Sequence, residues 1–182
     1  MWNWLRGKNV RITLRPWEAR DMKAILAIED QGPHPINLET LAEWICGNQV
    51  YGIVITENHA VKGFAAVFLP KIQQAHIQCL RVDKDNLRRG FGTRMLNYLC
   101  CHSITAWGKL SLSTDISEWN DIGHKFLTVK NGFVATMMHK YKDSHGNPMD
   151  TFYTFEWPPP NGWRAGTIRI SSDNGIKIKH FS

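Results

Sequence analysis

The strongest chemical signal in the chain lies between Val82 and Thr93. There a β-prone run ends and AspLysAspAsn follows, then Leu87, Arg88, Arg89, Gly90, Phe91, Gly92 and Thr93, and then a helical pattern of apolar residues. A strand that turns through two glycines into a helix leaves the first-turn N–H groups without intrahelical partners. Those groups point into the positive end of the helix dipole. Glycine lets the backbone approach a ligand closely, and the two arginines add charge beside it. Such a turn suits phosphate oxygens. Two phosphate loops are excluded by their own requirements. A Walker loop needs a lysine after its last glycine, which is absent here. A dinucleotide fingerprint needs a third glycine where this chain has Met95.

The elements that must position this turn follow from periodicity. Residues 10–14 alternate and read as a strand, and Met22, Ile25, Leu26 and Glu29 set a helical spacing over 17–30. Asn37 is placed to cap a second helix, with Leu38, Leu41, Trp44 and Ile45 facing inward. Strand-like runs cover 50–56, 61–69 and 75–82, with a hairpin turn at 57–59. The helix after the glycines has Phe91, Met95, Leu96, Leu99 and Cys100 on its core side. A strand at 110–114, a short helix at 119–130, and strands at 133–141 and 152–157 complete the series. Beyond three prolines, residues 167–180 alternate about an AspAsnGly turn and read as a β-hairpin. The order predicts an α/β fold with a mixed, mostly antiparallel central sheet flanked by helices.

Composition narrows the partners. The chain has 182 residues, 43% hydrophobic and 21% charged, which suits one globular core and excludes disordered and fibrous classes. No uncharged apolar run approaches the about 18–20 residues of a membrane helix, so no membrane partner is expected. The N-terminal residues lack the apolar stretch of a secretory leader. Four cysteines, Cys46, Cys79, Cys100 and Cys101, show no CxxC spacing, which fits neither a disulfide framework nor a zinc site. They suit a reducing cytoplasm. Residues 158–182 carry Arg164, Arg169, Lys177 and Lys179 against Asp173 alone, half of the net charge of +6. This basic extension fits an anionic partner, or a homodimer contact through its isoleucine face.

The turn and its setting resemble the GNAT superfamily of acetyl-CoA-dependent N-acetyltransferases. The family loop, Gln/Arg-x-x-Gly-x-Gly/Ala, is similar to Leu87–Gly92, with Leu87 departing at the first position. The preceding strand and the segments at 120–127 and 131–133 also match, so the resemblance spans roughly residues 10–157 and implies a GNAT-like domain over 1–157, with 158–182 as a separate basic extension. It implies acetyl-CoA as co-substrate, without a metal. Arg88, Arg89, Gly90, Phe91, Gly92 and Thr93 would hold the diphosphate. Leu80 and Val82 would pair with the pantetheine arm as an added strand, Asn120 would hydrogen-bond it, and Phe126 would pack on it.

The resemblance further implies direct acetyl transfer to an amine-bearing acceptor, protein or small molecule, and a catalytic base at His76, where related histone acetyltransferases carry a glutamate. A neutral imidazole accepts a proton at pH 7. Gln78 shares its strand face. The usual tyrosine acid is missing: Leu127 and Thr128 occupy its place, and the segment is one residue longer than usual. Tyr141 and Tyr153 are the remaining phenols for that role. Asp115 and Glu118, after the fifth strand, could receive a cationic acceptor. Cys100 and Cys101 read as buried or half-buried thiols. Two alternative functions share this fold: one acts on or binds nucleic acid, the other binds acyl-CoA without turnover.

Overall fold

A computed structural model describes residues 10–32, 36–47, 50–70, 73–109, 111–142 and 148–157. The expected tail hairpin lies outside the described residues. Strands β1 (Ile12–Pro16), β2 (Val50–Glu57), β3 (Ala60–Phe68), β4 (Gln74–Val82), β5 (Ser111–Ser117), β6 (Val134–Lys142) and β7 (Pro148–Trp157) form one sheet in the order β1-β2-β3-β4-β5-β7-β6. β1 pairs antiparallel with β2, and β7 pairs antiparallel with both β5 and β6; β4 and β5 are parallel. The helices are α1 (Met22–Glu29), α2 (Leu38–Cys46), α3 (Phe91–Thr105) and α4 (Asp121–Lys125). The mixed α/β architecture is the one the sequence predicts. Two compact units divide the chain, residues 10–66 with 80–95 and residues 67–79 with 96–157 among those described.

In the first unit, Ile53, Val54, Ile55, Phe64 and Ala65 are buried along β2 and β3, and Ile25, Ile28 and Leu41 are buried from α1 and α2. Asn37 caps α2 as expected, its side chain accepting from the Thr40 N–H at 2.7 Å. Leu38 is an exception to the inward set. It is the first helical residue, where the face has not yet turned toward the core, and it is exposed. Asn58 and His59 make the β2–β3 turn with φ of 49° and 71°, the left-handed values that a two-residue hairpin requires. A short 3-10 turn, Ala19–Asp21, precedes α1, so the helix begins at Met22 and not at residue 17. Arg15 clamps that turn through paired 2.7 Å bonds to Asp21.

Trp17 packs flat over the one position in β2 that has no side chain. A Cβ built on Gly52 would stand 1.9 Å from the indole. Gly52→Ala must therefore expel the ring, and the expected destabilisation is about 3 kcal/mol, at the upper end of overpacking costs. Urea unfolding monitored by tryptophan fluorescence measures it.

The α3 face is as expected: Phe91 and Met95 are buried in the first unit, and Leu96, Leu99 and Cys100 are buried in the second. Cys101 is exposed, because the next helical position turns away from that stripe. Downstream of α4 the chain forms a π-helical turn at Phe126–Lys130. A π turn absorbs one additional residue within a helix, which accounts for the extra residue in the segment.

Candidate functional site

The first unit builds the glycine turn from a chain of short polar contacts. Gln31, just past α1, donates to Asp83 Oδ1 at 3.3 Å and accepts from the Lys84 N–H at 2.8 Å. Asp83 Oδ2 accepts from Asn86 Nδ2 at 2.6 Å, and Asn86 Oδ1 accepts from Arg89 Nη1 at 2.6 Å. Arg89 also forms a two-pronged ion pair with Glu57 at the end of β2, and its guanidinium lies 5.0 Å from the centre of the Phe91 ring. Buried Asn86 is the keystone of the chain, and neighbouring Leu87 is exposed.

Past this clamp the backbone takes left-handed values, φ of 61° at Arg88 and 81° at Gly90, and the Gly90 carbonyl accepts the first α3 bond from Arg94 at 3.1 Å. A Cβ on Gly90 would meet nothing within 4 Å. The glycine is there for conformation and approach, with no packing demand. Arg88 is exposed. The turn thus presents the free N–H groups of a helix start, a bare α-carbon and one cation, on a loop fixed by side-chain hydrogen bonds.

The second unit places His76 on β4. β4–β5 pairing runs only from Gln74↔Ser111 to Ile77↔Thr114, although both strands continue beyond it. Alternation sends Ala75, Ile77 and Cys79 to the buried face and His76 and Gln78 to the other. His76 Nδ1 lies 2.9 Å from Ser113 Oγ, and that hydroxyl donates its proton to the Ala75 carbonyl at 3.3 Å. The hydroxyl's proton being engaged, Nδ1 is the donor, and the neutral ring carries its lone pair on Nε2. Burial pushes the His76 pKa below its ordinary value, with Asp115 opposing, so the ring is neutral at pH 7.

Asp115 lies within β5, because that strand runs to Ser117 and does not stop at 114. Its Oδ2 is 4.0 Å from His76 Nε2. Its Oδ1 accepts from Thr154 Oγ1 on β7 at 2.6 Å, and Thr154 Oγ1 is 2.8 Å from His139 Nε2 on β6. Sequence reasoning did not find Ser113, Thr154 or His139. Their role depends on register, Ser113 standing beside His76 and Thr154 beside Asp115.

No family model matches the chain, and no curated protein does. Solved structures match well. The ribosomal-protein-S18-alanine N-acetyltransferase from Escherichia coli aligns with a TM-score of 0.69 at 21% identity, covering 80% of this chain and 92% of that one. NAA60 from Arabidopsis thaliana, solved with a bisubstrate analogue, gives 0.67 at 14% identity, covering 81% and 97%. The protein yncA from Salmonella typhimurium, solved with its cofactor acetyl-CoA, gives 0.64 at 16% identity, covering 80% and 92%. The chain has the GNAT fold.

On this GNAT fold the remaining expected residues fall as follows. Leu80 and Val82 occupy the end of β4, beyond its last pairing with β5. Asn120 caps α4, accepting from the Gly123 N–H at 2.8 Å, and half-buried Phe126 opens the π turn. Tyr153 does not join His76. It lies on the opposite sheet face, packed edge-on against buried His124 at 5.6 Å between ring centres. Register explains this, since Tyr153 pairs with Ile116 and His76 shares the face of Ser113 and Asp115. Tyr141 is exposed and packs against Phe152. Burial pushes the Cys100 thiol up to about 12, which keeps it protonated and removes it as a nucleophile. Among the described residues no three His, Cys, Asp or Glu side chains are arranged to hold a metal ion, and no helix is long and apolar enough to cross a membrane.

Proposed function

We propose that this protein transfers an acetyl group from acetyl-CoA directly to a primary amine. The observation that carries this reading is the fixed glycine turn. Its N–H groups, the open α-carbon of Gly90 and the Arg88 charge suit a diphosphate, and Phe91, Gly92 and Thr93 continue the cradle into α3. Arg89 secures the turn through Asn86 and Glu57. The continuation of β4 past its last pairing with β5, with Leu80 and Val82, offers backbone groups to the pantetheine amides.

His76 is the base. With Nδ1–H held by Ser113, the Nε2 lone pair takes the proton that an ammonium must lose before its nitrogen can attack. The C–N bond forms as the thioester C–S bond breaks; the acylated nitrogen gives up its second proton to water, and the leaving thiolate takes one from water to become CoA, at a thiol pKa of about 8.5. The acceptor is a protein or small-molecule amine. Direct transfer needs no covalent enzyme intermediate, and the raised pKa of Cys100 removes that thiol as a nucleophile.

Calorimetry with acetyl-CoA, paired with mass spectrometry of amines incubated with enzyme and acetyl-CoA, tests the reading. Heat of binding and a gain of one acetyl group on an amine are expected. Absence of heat at millimolar ligand overturns it, and binding without any acetylated amine leaves an acyl-CoA-binding module.

A further inference from the structure

Two hydrogen-bond acceptors in the second unit stand close together across β4 and β5. One is His76 Nε2, whose lone pair follows from the Nδ1–Ser113 bond; the other is Asp115 Oδ2, 4.0 Å away. That separation is too long for a hydrogen bond between them. It is spanned by one nitrogen that donates to both, through two N–H bonds of about 2.9 Å each. A primary ammonium has three such donors and the charge to match the carboxylate. The two side chains are 27% and 38% exposed, so an acceptor can reach them.

The carboxylate is held in place from behind. Thr154 gives its only proton to Asp115 Oδ1 at 2.6 Å, so it must accept from His139, whose Nε2 therefore carries hydrogen. Four side chains from four strands, His76, Asp115, Thr154 and His139, thus lie in one line across β4, β5, β7 and β6. Other polar residues on this face include Gln74, Gln78, Ser111, Ser113, Ser117 and Glu156, the last accepting from Gln74 at 3.0 Å.

We propose that the gap between His76 Nε2 and Asp115 Oδ2 is the seat of the acceptor's primary ammonium, with Thr154 and His139 as positioning residues that aim the carboxylate. This rests on the acetyl-transfer reading and assigns its acceptor as an amine that arrives protonated. Asp115 binds the cation, and His76 takes one of its protons, leaving the neutral amine to attack. Burial lowers the basicity of the imidazole, and the Asp115 charge beside it opposes that shift.

The test uses the amine that the parent acetylates best among an alanine-starting peptide, an N-blocked lysine peptide and spermidine. Asp115→Asn is expected to raise the KM for amine on the order of tenfold or more, the loss of a charged hydrogen bond, with acetyl-CoA binding unchanged. The acid limb of the pH–rate profile should move to lower pH, because the charge that supports His76 is gone. Thr154→Val should move both in the same direction by a smaller step of about three- to tenfold in KM, and Thr154→Ser, which keeps the hydroxyl, should restore them. His139→Ala should follow Thr154→Val. An Asp115→Asn variant with parental KM and pH profile and intact acetyl-CoA binding overturns the seat alone. No heat from acetyl-CoA with the parent overturns the transfer reading and the seat with it. Equal effects of Thr154→Val and Thr154→Ser overturn the positioning role.

Discussion

Gly90→Asp is expected to weaken acetyl-CoA binding by at least ~100-fold, with a stability cost on the order of 1 kcal/mol from the left-handed backbone. The turn leaves room for the new side chain, since a Cβ there meets nothing within 4 Å. Aspartate also tolerates the left-handed backbone, φ of 81°, better than most residues. What changes is charge. A carboxylate on this α-carbon would stand where the diphosphate approaches, and each pair of unit charges at ~4 Å costs about 4 kcal/mol at an effective dielectric of ~20. Even after screening, two to three powers of ten in affinity are at stake. Gly90→Asn is the matched control, with the same shape and backbone tolerance but no charge, and it should bind within about tenfold of the parent, consistent with a neutral side chain. Isothermal calorimetry on both variants, with thermal unfolding beside it, separates electrostatic exclusion from misfolding. Equal loss in the two variants would assign Gly90 a steric role in place of an electrostatic one.

The local parts of this site were legible because each depends on neighbours in sequence. The Asn37 cap, the hairpin at Asn58–His59 and the stripe Phe91, Met95, Leu96, Leu99 and Cys100 need only spacing and turn chemistry, and the structure has them. The glycine turn was visible for the same reason. Its clamp was not. Glu57 and Arg89 are 32 residues apart, and no pattern along the chain brings the end of β2 to the start of α3. The Asp115–Thr154 bond spans 39 residues and depends on β5–β7 register, in which a shift by one would exchange Thr154 for Tyr153. That is also why Tyr153 read as a candidate acid, although it faces the core. Asp115 was read as a loop residue because serine and aspartate are weak strand formers, and pairing with β7 overrides that preference. The extra residue before Gly132 was apparent as a length mismatch, but its accommodation in a π turn is a property of the folded backbone.

His76→Ala should lower kcat by about 10²- to 10⁴-fold near pH 7, the usual range for removing a general base. The sign of its pH dependence is the sharper test. Burial holds the His76 pKa below the ordinary value, so the parent has its base in the active form at pH 7 and loses rate only as pH falls below that depressed value. The amine behaves oppositely, its ammonium with a pKa of about 10.4 releasing a proton unaided only in alkali. Parent and variant should therefore differ most near neutrality and converge as pH approaches that of the free amine. A purely structural His76 would instead give a deficit parallel at every pH, because lost packing does not track the protonation of the substrate. Ser113→Ala separates the two further. It leaves the imidazole in place but releases Nδ1, so the ring can shift its proton to Nε2 and lose the lone pair that faces the acceptor. A rate loss in Ser113→Ala with normal stability and normal acetyl-CoA binding would tie activity to which nitrogen carries the proton, something only a base requires.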